Sequence, residues 1–412
     1  MMDDKIKLLA WLDQNDERLY AMIQSLVRVP SDNPLGDCKP IAAETAALLA
    51  QHGFDPVRLP IPAEAIHAAG MQSADNIVAE LLVGDGCGPV IVLNAHGDVV
   101  PPGEGWHYDP YAGDIVEGKL YGRGAAVSKS DIAVYTFAAM ALRETGAAGA
   151  GKLVLAFTFD EETGGEIGPQ RLLQEGQIRP DYAICAGFTH SIVHAHNGCL
   201  HLEVTVKGKS AHAAIPDTGT DAIEAMNGLL QMLYAHRAEL QAIQSNITGI
   251  QSPTLNVGLI NGGINTNVVP DRCTIRLDRR IIPEEQPEQA ERELVKRLEE
   301  AAEQYPGVTI EIRRILLALP FGPVPESSPL IGALQHNASQ LLGERLPIEG
   351  VPLYADARHF YEAGIPAVMF GAGPRTLAEA NGHRADEHVE LADVSAAVRI
   401  VALSLYDLFN LA

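Results

Sequence analysis

Short apolar segments alternate with helical patterns over the first 198 residues of this 412-residue chain, and again after residue 315. The strand candidates, such as residues 90–93 and 153–159, are almost wholly apolar. Strands that are apolar on both sides are typical of a parallel or mixed sheet covered by helices on both faces. The sequence therefore predicts an α/β fold with a mixed, mostly parallel sheet.

The order of predicted strands and helices changes between residues 199 and 315, and this segment predicts a separate domain. Strand patterns cover 201–206, 254–260, 273–279 and 308–315, and helical patterns cover 221–236 and 288–305. The resulting order, βαββαβ, is that of a compact ferredoxin-like unit. We therefore expect one discontinuous α/β domain, 1–198 and 316–412, interrupted by an inserted domain at 199–315.

The charge of the chain restricts its partners. A formal net charge of −23 argues against a nucleic acid or an anionic membrane, because either partner needs a basic face. The chain has no basic start followed by an apolar stretch, and no apolar run long enough to cross a bilayer. These patterns predict a cytoplasmic protein whose five scattered cysteines are reduced thiols.

The predicted strand at 90–93 is followed by a His-x-Asp triplet, His96 and Asp98, and then by a Pro-Pro-Gly turn. An imidazole and a carboxylate two residues apart suit a metal ligand with its orienting partner, or a proton-transfer pair. A structural pair is the alternative interpretation of this triplet when it is taken alone.

Three consecutive carboxylates, Asp160, Glu161 and Glu162, follow the strand at 153–159 and precede a Gly-Gly pair. Ligands bind at the carboxyl ends of strands in open α/β sheets. Adjacent side chains point in different directions, so one glutamate can serve as general base and the other as metal ligand. The alternative interpretation is a helix N-terminus, where acidic residues are common without a catalytic role.

Several residues of other segments suit a substrate site. His212 and His383 lie in loops, Asn267 lies in a Gly- and Asn-rich turn, and Arg280 ends a predicted strand. A guanidinium is well matched to a carboxylate.

In their order along nearly the whole chain, these motifs resemble the zinc-dependent aminoacylase and exopeptidase family that includes acetylornithine deacetylase, succinyl-diaminopimelate desuccinylase and glutamate carboxypeptidase. The resemblance rests on segments 96–101, 118–125, 161–165, 208–212 and 356–358, on the loop of Asn267, and on His383 with Glu387. It implies hydrolysis of an amide bond in a small N-acylated amino acid or dipeptide.

The resemblance also implies roles for the residues near the predicted sheet edge. His96 would bind a first metal ion, with Asp98 orienting it. Glu161 would be the general base that activates water, and Glu162 and His383 would bind a second metal ion.

In the inserted domain, which the resemblance makes a lid and the contact of a homodimer, His212 would reach a partner subunit's site and stabilise the oxyanion. Asn267 and Arg280 would hold the free carboxylate of a small-molecule substrate, with Arg358 or Arg384 as alternatives for Arg280.

Two positions depart from the family pattern. Val127 stands where the aspartate that bridges both metals is expected, and Gly187 stands where a carboxylate ligand of the first metal is expected. A catalytic zinc normally has three protein ligands, and a two-metal site needs a shared oxygen. The sequence therefore predicts zinc or another divalent ion at fewer than two per subunit, or none.

Three explanations stay open at this point. In the first, other groups replace the missing ligands; the nearby candidates are Asp131, Cys185, His190, His194 and His196. In the second, one metal ion sits on Glu162 and His383. In the third, the site is metal-free, with Lys129 in place of the cation and Ser128 or Ser130 as nucleophile.

A hydrolase is the favoured function, because the residues that would carry the reaction are all present. They are the base Glu161 with Asp98, the oxyanion donor His212, and the carboxylate ligands Asn267 and Arg280. Two alternatives remain: a ligand-binding or regulatory protein that uses the same cleft without turnover, and metal-independent chemistry on an amino-acid derivative.

Overall fold

A computed structural model of the protein describes residues 2–147, 149–376 and 378–411. The chain divides into two compact units. The first unit comprises Met1–His194, Val324–Glu349 and Ala355–Ala412, and the second comprises Ala195–Pro323 and Gly350–Tyr354.

The helices, in chain order, are α1 (Met2–Asp13), α2 (Asp16–Val27), α3 (Lys39–Gln51), α4 (Ala63–Ala68), α5 (Lys129–Thr145), α6 (Pro169–Gln174), α7 (Ala222–Leu240), α8 (Pro287–Ala302), α9 (Pro329–Leu342), α10 (Ala357–Glu362) and α11 (Leu391–Leu408).

The strands are β1 (Val57–Pro60), β2 (Asp75–Val83), β3 (Val90–His96), β4 (Ile115–Val116), β5 (Lys119–Tyr121), β6 (Gly151–Thr158), β7 (Tyr182–Cys185), β8 (Ile192–His196), β9 (Gly198–Lys207), β10 (Ala211–His212), β11 (Thr254–Gly262), β12 (Val268–Val269), β13 (Arg272–Ile281), β14 (Thr309–Ala318), β15 (Ile348–Val351), β16 (Ala367–Met369) and β17 (His388–Glu390).

An eight-stranded sheet in the order β1-β2-β6-β3-β7-β16-β8-β15 confirms the predicted mixed α/β fold. Strands β6, β3, β7 and β16 are parallel to one another, whereas β2 and β8 run antiparallel to their neighbours. The parallel strands therefore form the centre of the sheet, and their carboxyl ends meet at one edge. That edge carries the chemistry described below.

Helix α5 is buried almost along its whole length. A helix that is apolar on all sides needs cover on all sides, and α5 contacts β3 as well as α2 and α11. Its first turn, from Lys129 to Asp131, is also buried. The polar groups at this helix start are thus held inside the first unit.

The second unit contains a four-stranded antiparallel sheet in the order β11-β13-β9-β14, together with α7 and α8. This is the predicted βαββαβ arrangement. Alternate residues of β9, from Leu200 to Val206, pack with α7 and α8 in the core of this unit. The intervening residues, including Cys199 and His201, therefore point to the opposite face of the sheet.

The second unit comprises Ala195–Pro323 and Gly350–Tyr354, so it contains the expected inserted domain, 199–315, together with flanking residues and a later segment. Backbone hydrogen bonds explain these additions. His196 and Phe321 exchange both of their N–H···O bonds, at 3.0 and 3.1 Å, and the N–H of Gly350 donates to the carbonyl of Thr248 at 2.7 Å. No local pattern in the sequence indicates such pairings.

Among the described residues, no helix has the combination of length and hydropathy needed to cross a membrane.

Candidate active site

The candidate site of the first unit lies where β3 and β6 end. The strands are parallel neighbours, and His96 stands directly across from Thr158. The residues that follow β6 therefore reach the same edge as His96, which brings the two sequence motifs together as predicted.

Asp98 holds these two motifs in place. It is fully buried, and its Oδ1 lies 3.3 Å from Nδ1 of His96. The same oxygen accepts a hydrogen bond from the backbone N–H of Glu161 at 3.2 Å, and Oδ2 accepts one from that of Glu162 at 3.1 Å. Asn33, for which the sequence pattern indicates no role, donates to Oδ2 at 2.9 Å. Asp98 thus orients an imidazole and a loop at once.

Glu161 and Glu162 begin a short 3₁₀ turn, Glu161–Thr163, that ends in the Gly-Gly pair. Gly165 has a φ of +69°, and a Cβ at this position would lie 2.2 Å from Oδ1 of Asp356. Both the conformation and the close approach require glycine. On the other side of Glu162, its Oε1 lies 3.5 Å from Nε2 of His383.

Several ionisable side chains of the candidate site lie close enough to shift one another's pKa. Burial raises the pKa of Glu161 to about 8; the charge of His96 opposes this shift and that of Glu162 adds to it. Burial lowers the pKa of His96, but the hydrogen bond to Asp98 and the charges of Glu161 and Glu162 outweigh it, so this pKa lies well above its usual range. The site is therefore one of closely spaced carboxylates that favour a cation or protons.

Asp356 adds another carboxylate to this group. It is buried, one of its oxygens has no hydrogen-bond partner among the described residues, and burial and the charge of Glu161 raise its pKa to about 8. Its motif, 356–358, contributes to the family resemblance, but the sequence does not indicate a role for Asp356 itself. Only its place beside Glu161 and His96 would have revealed one.

Arg358, predicted as an alternative substrate ligand, is buried. Its guanidinium donates to the carbonyl of Gly164, and Nη1 lies 3.5 Å from Oε1 of Glu362. This placement favours a role in positioning the loop of Glu161 and Glu162 over contact with a substrate.

The two departures from the family pattern have different surroundings. Val127 is half-buried, and its N–H donates to Oε1 of Glu387 at 3.3 Å. Glu387 also accepts from the N–H of Ala126 at 3.1 Å and pairs with Arg123. A Cβ at Gly187, in contrast, would lie 2.5 Å from the backbone N of Phe370. Gly187 therefore has no space for a side chain unless the backbone moves.

The residues proposed to replace the missing ligands are engaged elsewhere. Asp131 accepts from the N–H groups of Ala372, at 2.6 Å, and Gly187, at 3.3 Å. The histidines have their own contacts: His190 with Asp393 at 2.7 Å, His194 with the carbonyl of Val324 at 2.8 Å, and His196 with the carbonyl of Asn197 at 2.9 Å. Cys185 is buried in β7, and burial raises its pKa well above the usual range.

The residues of the metal-free explanation are also engaged. Nζ of Lys129 donates to the carbonyl of Val29 at 2.8 Å. The hydroxyl of Ser128 donates to the carbonyl of His96 at 3.1 Å and accepts from its N–H at 3.2 Å. The hydroxyl of Ser130 is buried without a hydrogen-bond partner among the described residues. These contacts favour structural roles for Lys129 and Ser128.

The second unit carries the other predicted residues. His212, in β10, is exposed, and its Nδ1 accepts from the N–H of Ala214 at 3.0 Å. The carbonyl of Asn267 accepts from the N–H of Ala213 at 3.0 Å, so these two motifs lie together. Arg280, at the end of β13, pairs with Asp278 at 3.0 Å and lies 5.7 Å from the ring of Tyr354.

The donor set allows a test of the metal prediction. A two-metal centre does not fit, because a valine and a closely packed glycine replace two of its ligands. One divalent ion does fit the pair of Glu162 and His383, whose Oε1 and Nε2 lie 3.5 Å apart, because a carboxylate and an imidazole are both ligands of catalytic zinc. The surrounding carboxylates favour a cation.

Half-buried glutamates beside two imidazoles, at the carboxyl edge of an α/β sheet, are groups that hydrolases of amide or peptide bonds use. The chain belongs to peptidase family M20/M25/M40, whose family model matches residues 92–407.

Relatives of known name support this assignment. The chain is 30% identical to acetylornithine deacetylase of Yersinia pseudotuberculosis over 313 residues, which cover 75% of this chain and 76% of the relative. It is 29% identical to succinyl-diaminopimelate desuccinylase of Methylobacterium over 386 residues (91% and 92%) and to aminoacylase-1A of Rattus norvegicus over 350 residues (81% and 85%).

Solved structures share the fold. Human carnosine dipeptidase 1 matches with a TM-score of 0.78 at 17% identity, over 99% of each chain. A Bacillus subtilis protein, described as a dinuclear metal-binding peptidase of this family, matches with a TM-score of 0.67 at 18% identity, over 97% of this chain and 99% of that one.

Proposed function

We propose that the protein hydrolyses the amide bond of a small N-acylated amino acid or dipeptide, with Glu161 as the general base. The observation that carries the proposal is the placement of Glu161: it is held by Asp98 beside His96, and its pKa is raised to about 8. A general base acts best when its pKa lies near the working pH. The names of the relatives, a deacetylase, a desuccinylase and an aminoacylase, support this class of substrate.

One divalent ion, with zinc as our first choice, would be held by Glu162 and His383, whose ligand atoms lie 3.5 Å apart, with His96 nearby. Such an ion polarises a carbonyl and lowers the pKa of a bound water. The part of Glu161 is to take a proton from the attacking water and to pass it to the leaving nitrogen. Asp98 keeps His96 and the loop of Glu161 in position during these transfers.

The second unit would supply the groups that recognise the substrate. Arg280 offers a guanidinium that matches the free carboxylate of an acylated amino acid. Asn267 would support that contact, and His212 would stabilise the oxyanion of the tetrahedral intermediate. Because His212 is exposed, we propose that it acts in the site of a partner subunit.

The edge of the second unit's sheet supports a homodimer. Strand β11 is one of the two edge strands of this sheet, and Leu259 and Ile260 in it are each exposed over about 60% of their surface. An exposed apolar edge strand is a ready partner for a second chain. A cytoplasmic location stays a prediction from the sequence.

A non-catalytic binding protein is the second candidate, and the loss of carboxylates at Val127 and Gly187 favours it. Turnover by the purified full chain distinguishes the two candidates. The substrates are N-acetyl and N-succinyl amino acids, N-carbamoyl amino acids and dipeptides, each assayed after addition of zinc, manganese or cobalt. The hydrolase predicts turnover of at least one class; a protein that binds no metal and stays inert supports the binding protein.

A matched pair of variants ties the activity to the site. Glu161→Gln should abolish turnover and leave substrate binding intact. The exposed Glu166, five residues further along the chain, is the control, and Glu166→Gln should turn over substrate like the wild type. Unchanged turnover in Glu161→Gln would remove this residue from the mechanism.

A further inference from the structure

A second group of metal-ligating side chains lies on the sheet of the second unit, on the face away from α7 and α8. Strands β9 and β13 pair in antiparallel register, with His201 across from Asp278 and Cys199 across from Arg280. Neighbouring residues of β9, such as Leu200 and Leu202, belong to the core on the helix-covered face. The four polar side chains thus share the face of this sheet that lies away from α7 and α8.

Three of these side chains converge on one point. Nε2 of His201 lies 3.1 Å from Sγ of Cys199 and 3.1 Å from Oδ2 of Asp278. All three ligand atoms lie within 4.8 Å of one another, and this is the one such group of three among the described residues.

The geometry does not suit a catalytic relay. In a relay of the Cys-His-Asp kind, the two ring nitrogens of the histidine contact different partners. Here the same nitrogen faces both the thiol and the carboxylate. Ligand atoms that face one another in this way are instead arranged as they are around a metal ion.

We propose that Cys199, His201 and Asp278 bind a zinc ion through residues that the proposed active site does not use. One sulfur, one imidazole nitrogen and one carboxylate oxygen are all ligands that zinc accepts. The thiol of Cys199 loses its proton to solvent when the ion binds, so thiolate and carboxylate balance the two positive charges.

The second contact of Asp278 and the exposure of the three residues fit this role. Oδ1 of Asp278 accepts from Nε of Arg280 at 3.0 Å, which leaves Oδ2 directed at the site. A ligating carboxylate is commonly held by such a second partner. Cys199 is buried, whereas His201 and Asp278 are about one-third exposed. An ion therefore has an entry path and an open coordination position.

A cavity of about 530 Å³ lies in the same unit. Arg280 lines it, together with Asn197, Arg237 and Thr254. Oδ1 of Asn197 is buried and has no hydrogen-bond partner among the described residues. A water or a small polar molecule in this cavity would satisfy that oxygen. Arg280, which lines the cavity, is also the residue that donates to Oδ1 of Asp278.

Cobalt substitution of the purified full chain tests the proposal. A cobalt ion bound to a thiolate has a near-ultraviolet charge-transfer band, and the side chains of the candidate active site, His96, Glu162 and His383, contain no sulfur. We expect the wild-type protein to show this band, and Cys199→Ser to lose it together with a bound zinc ion in metal analysis. Absence of the band at saturating cobalt, or its persistence in Cys199→Ser, would overturn the proposal.

Two controls and a second variant complete the test. Cys87→Ser, at the exposed cysteine, and Cys185→Ala, at the cysteine of β7, should keep the band. His201→Asn should weaken zinc binding and shift the band. Because His201 is partly exposed, this variant should fold even if Cys199→Ser does not, so the site can still be tested. A band with unchanged zinc affinity in His201→Asn would contradict the role of the imidazole.

Discussion

The carboxylate of Asp98 accepts a hydrogen bond from the backbone N–H of Glu161 at 3.2 Å. Because the same oxygen also lies beside His96, one side chain fixes the proposed general base relative to the imidazole. The positions of Glu161, the proposed general base, and of His96 therefore depend on the same carboxylate.

We expect Asp98→Asn to lower kcat/KM by about 10- to 100-fold, the usual effect of losing an orienting partner. The amide would direct an NH₂ group at an N–H donor and would leave His96 without its carboxylate. Steady-state kinetics and metal analysis measure the change. Asn33→Ala, which removes one hydrogen bond to Asp98, should have a smaller effect. Wild-type kcat/KM in Asp98→Asn would contradict this account.

Restoring a carboxylate at Val127 and restoring one at Gly187 should have different effects on the protein. Val127→Asp adds a carboxylate at a half-buried position, and we expect it to raise the metal content of the purified protein. Gly187→Glu places a side chain against the backbone of Phe370, and we expect it to lower the free energy of unfolding by about 1–3 kcal/mol. Metal analysis and urea denaturation provide the measurements. Equal tolerance of both changes would show that packing does not distinguish the two positions.

Lys129 should make stability depend on pH. Burial lowers the pKa of its ammonium from 10.5 to about 7. Between these values the unfolded chain binds more protons than the folded chain, so the contribution of Lys129 to stability rises with pH in this window. Relative to Lys129→Met, the wild type should gain about 2 kcal/mol between pH 7 and pH 9.

Urea denaturation at both pH values measures that gain. The difference between the two proteins isolates Lys129 from Glu161 and Asp356, whose raised pKa values act in the opposite direction. A difference that does not change with pH would mean that Lys129 stays charged in the folded protein.

Subunit mixing tests the proposed role of His212. If His212 acts in a partner's site, inactive Glu161→Gln and His212→Ala proteins should form mixed dimers in which one site is intact. Random mixing should then restore about a quarter of the wild-type activity per subunit. A mixture that stays inactive, although mass spectrometry shows mixed dimers, would place His212 in the site of its own chain.

Much of the fold follows from local pattern. The apolar strands β3, β6 and β7 predict the centre of a parallel sheet, and alternation in β9 predicts a half-exposed strand. The unit boundaries do not follow from pattern, since the pairing of His196 with Phe321 joins segments far apart in sequence. Neither segment on its own indicates that pairing.

The sequence by itself determined which residue types stand at the ends of the strands, including His96, Asp98, Glu161 and Glu162, because a strand and its following loop are local features. It also showed that Val127 and Gly187 lack the expected carboxylates. Only the tertiary structure decided that Asp356 joins the buried carboxylates, and that Cys199, His201 and Asp278 converge. Such groups depend on sheet register and on burial, which arise only when distant segments pack together.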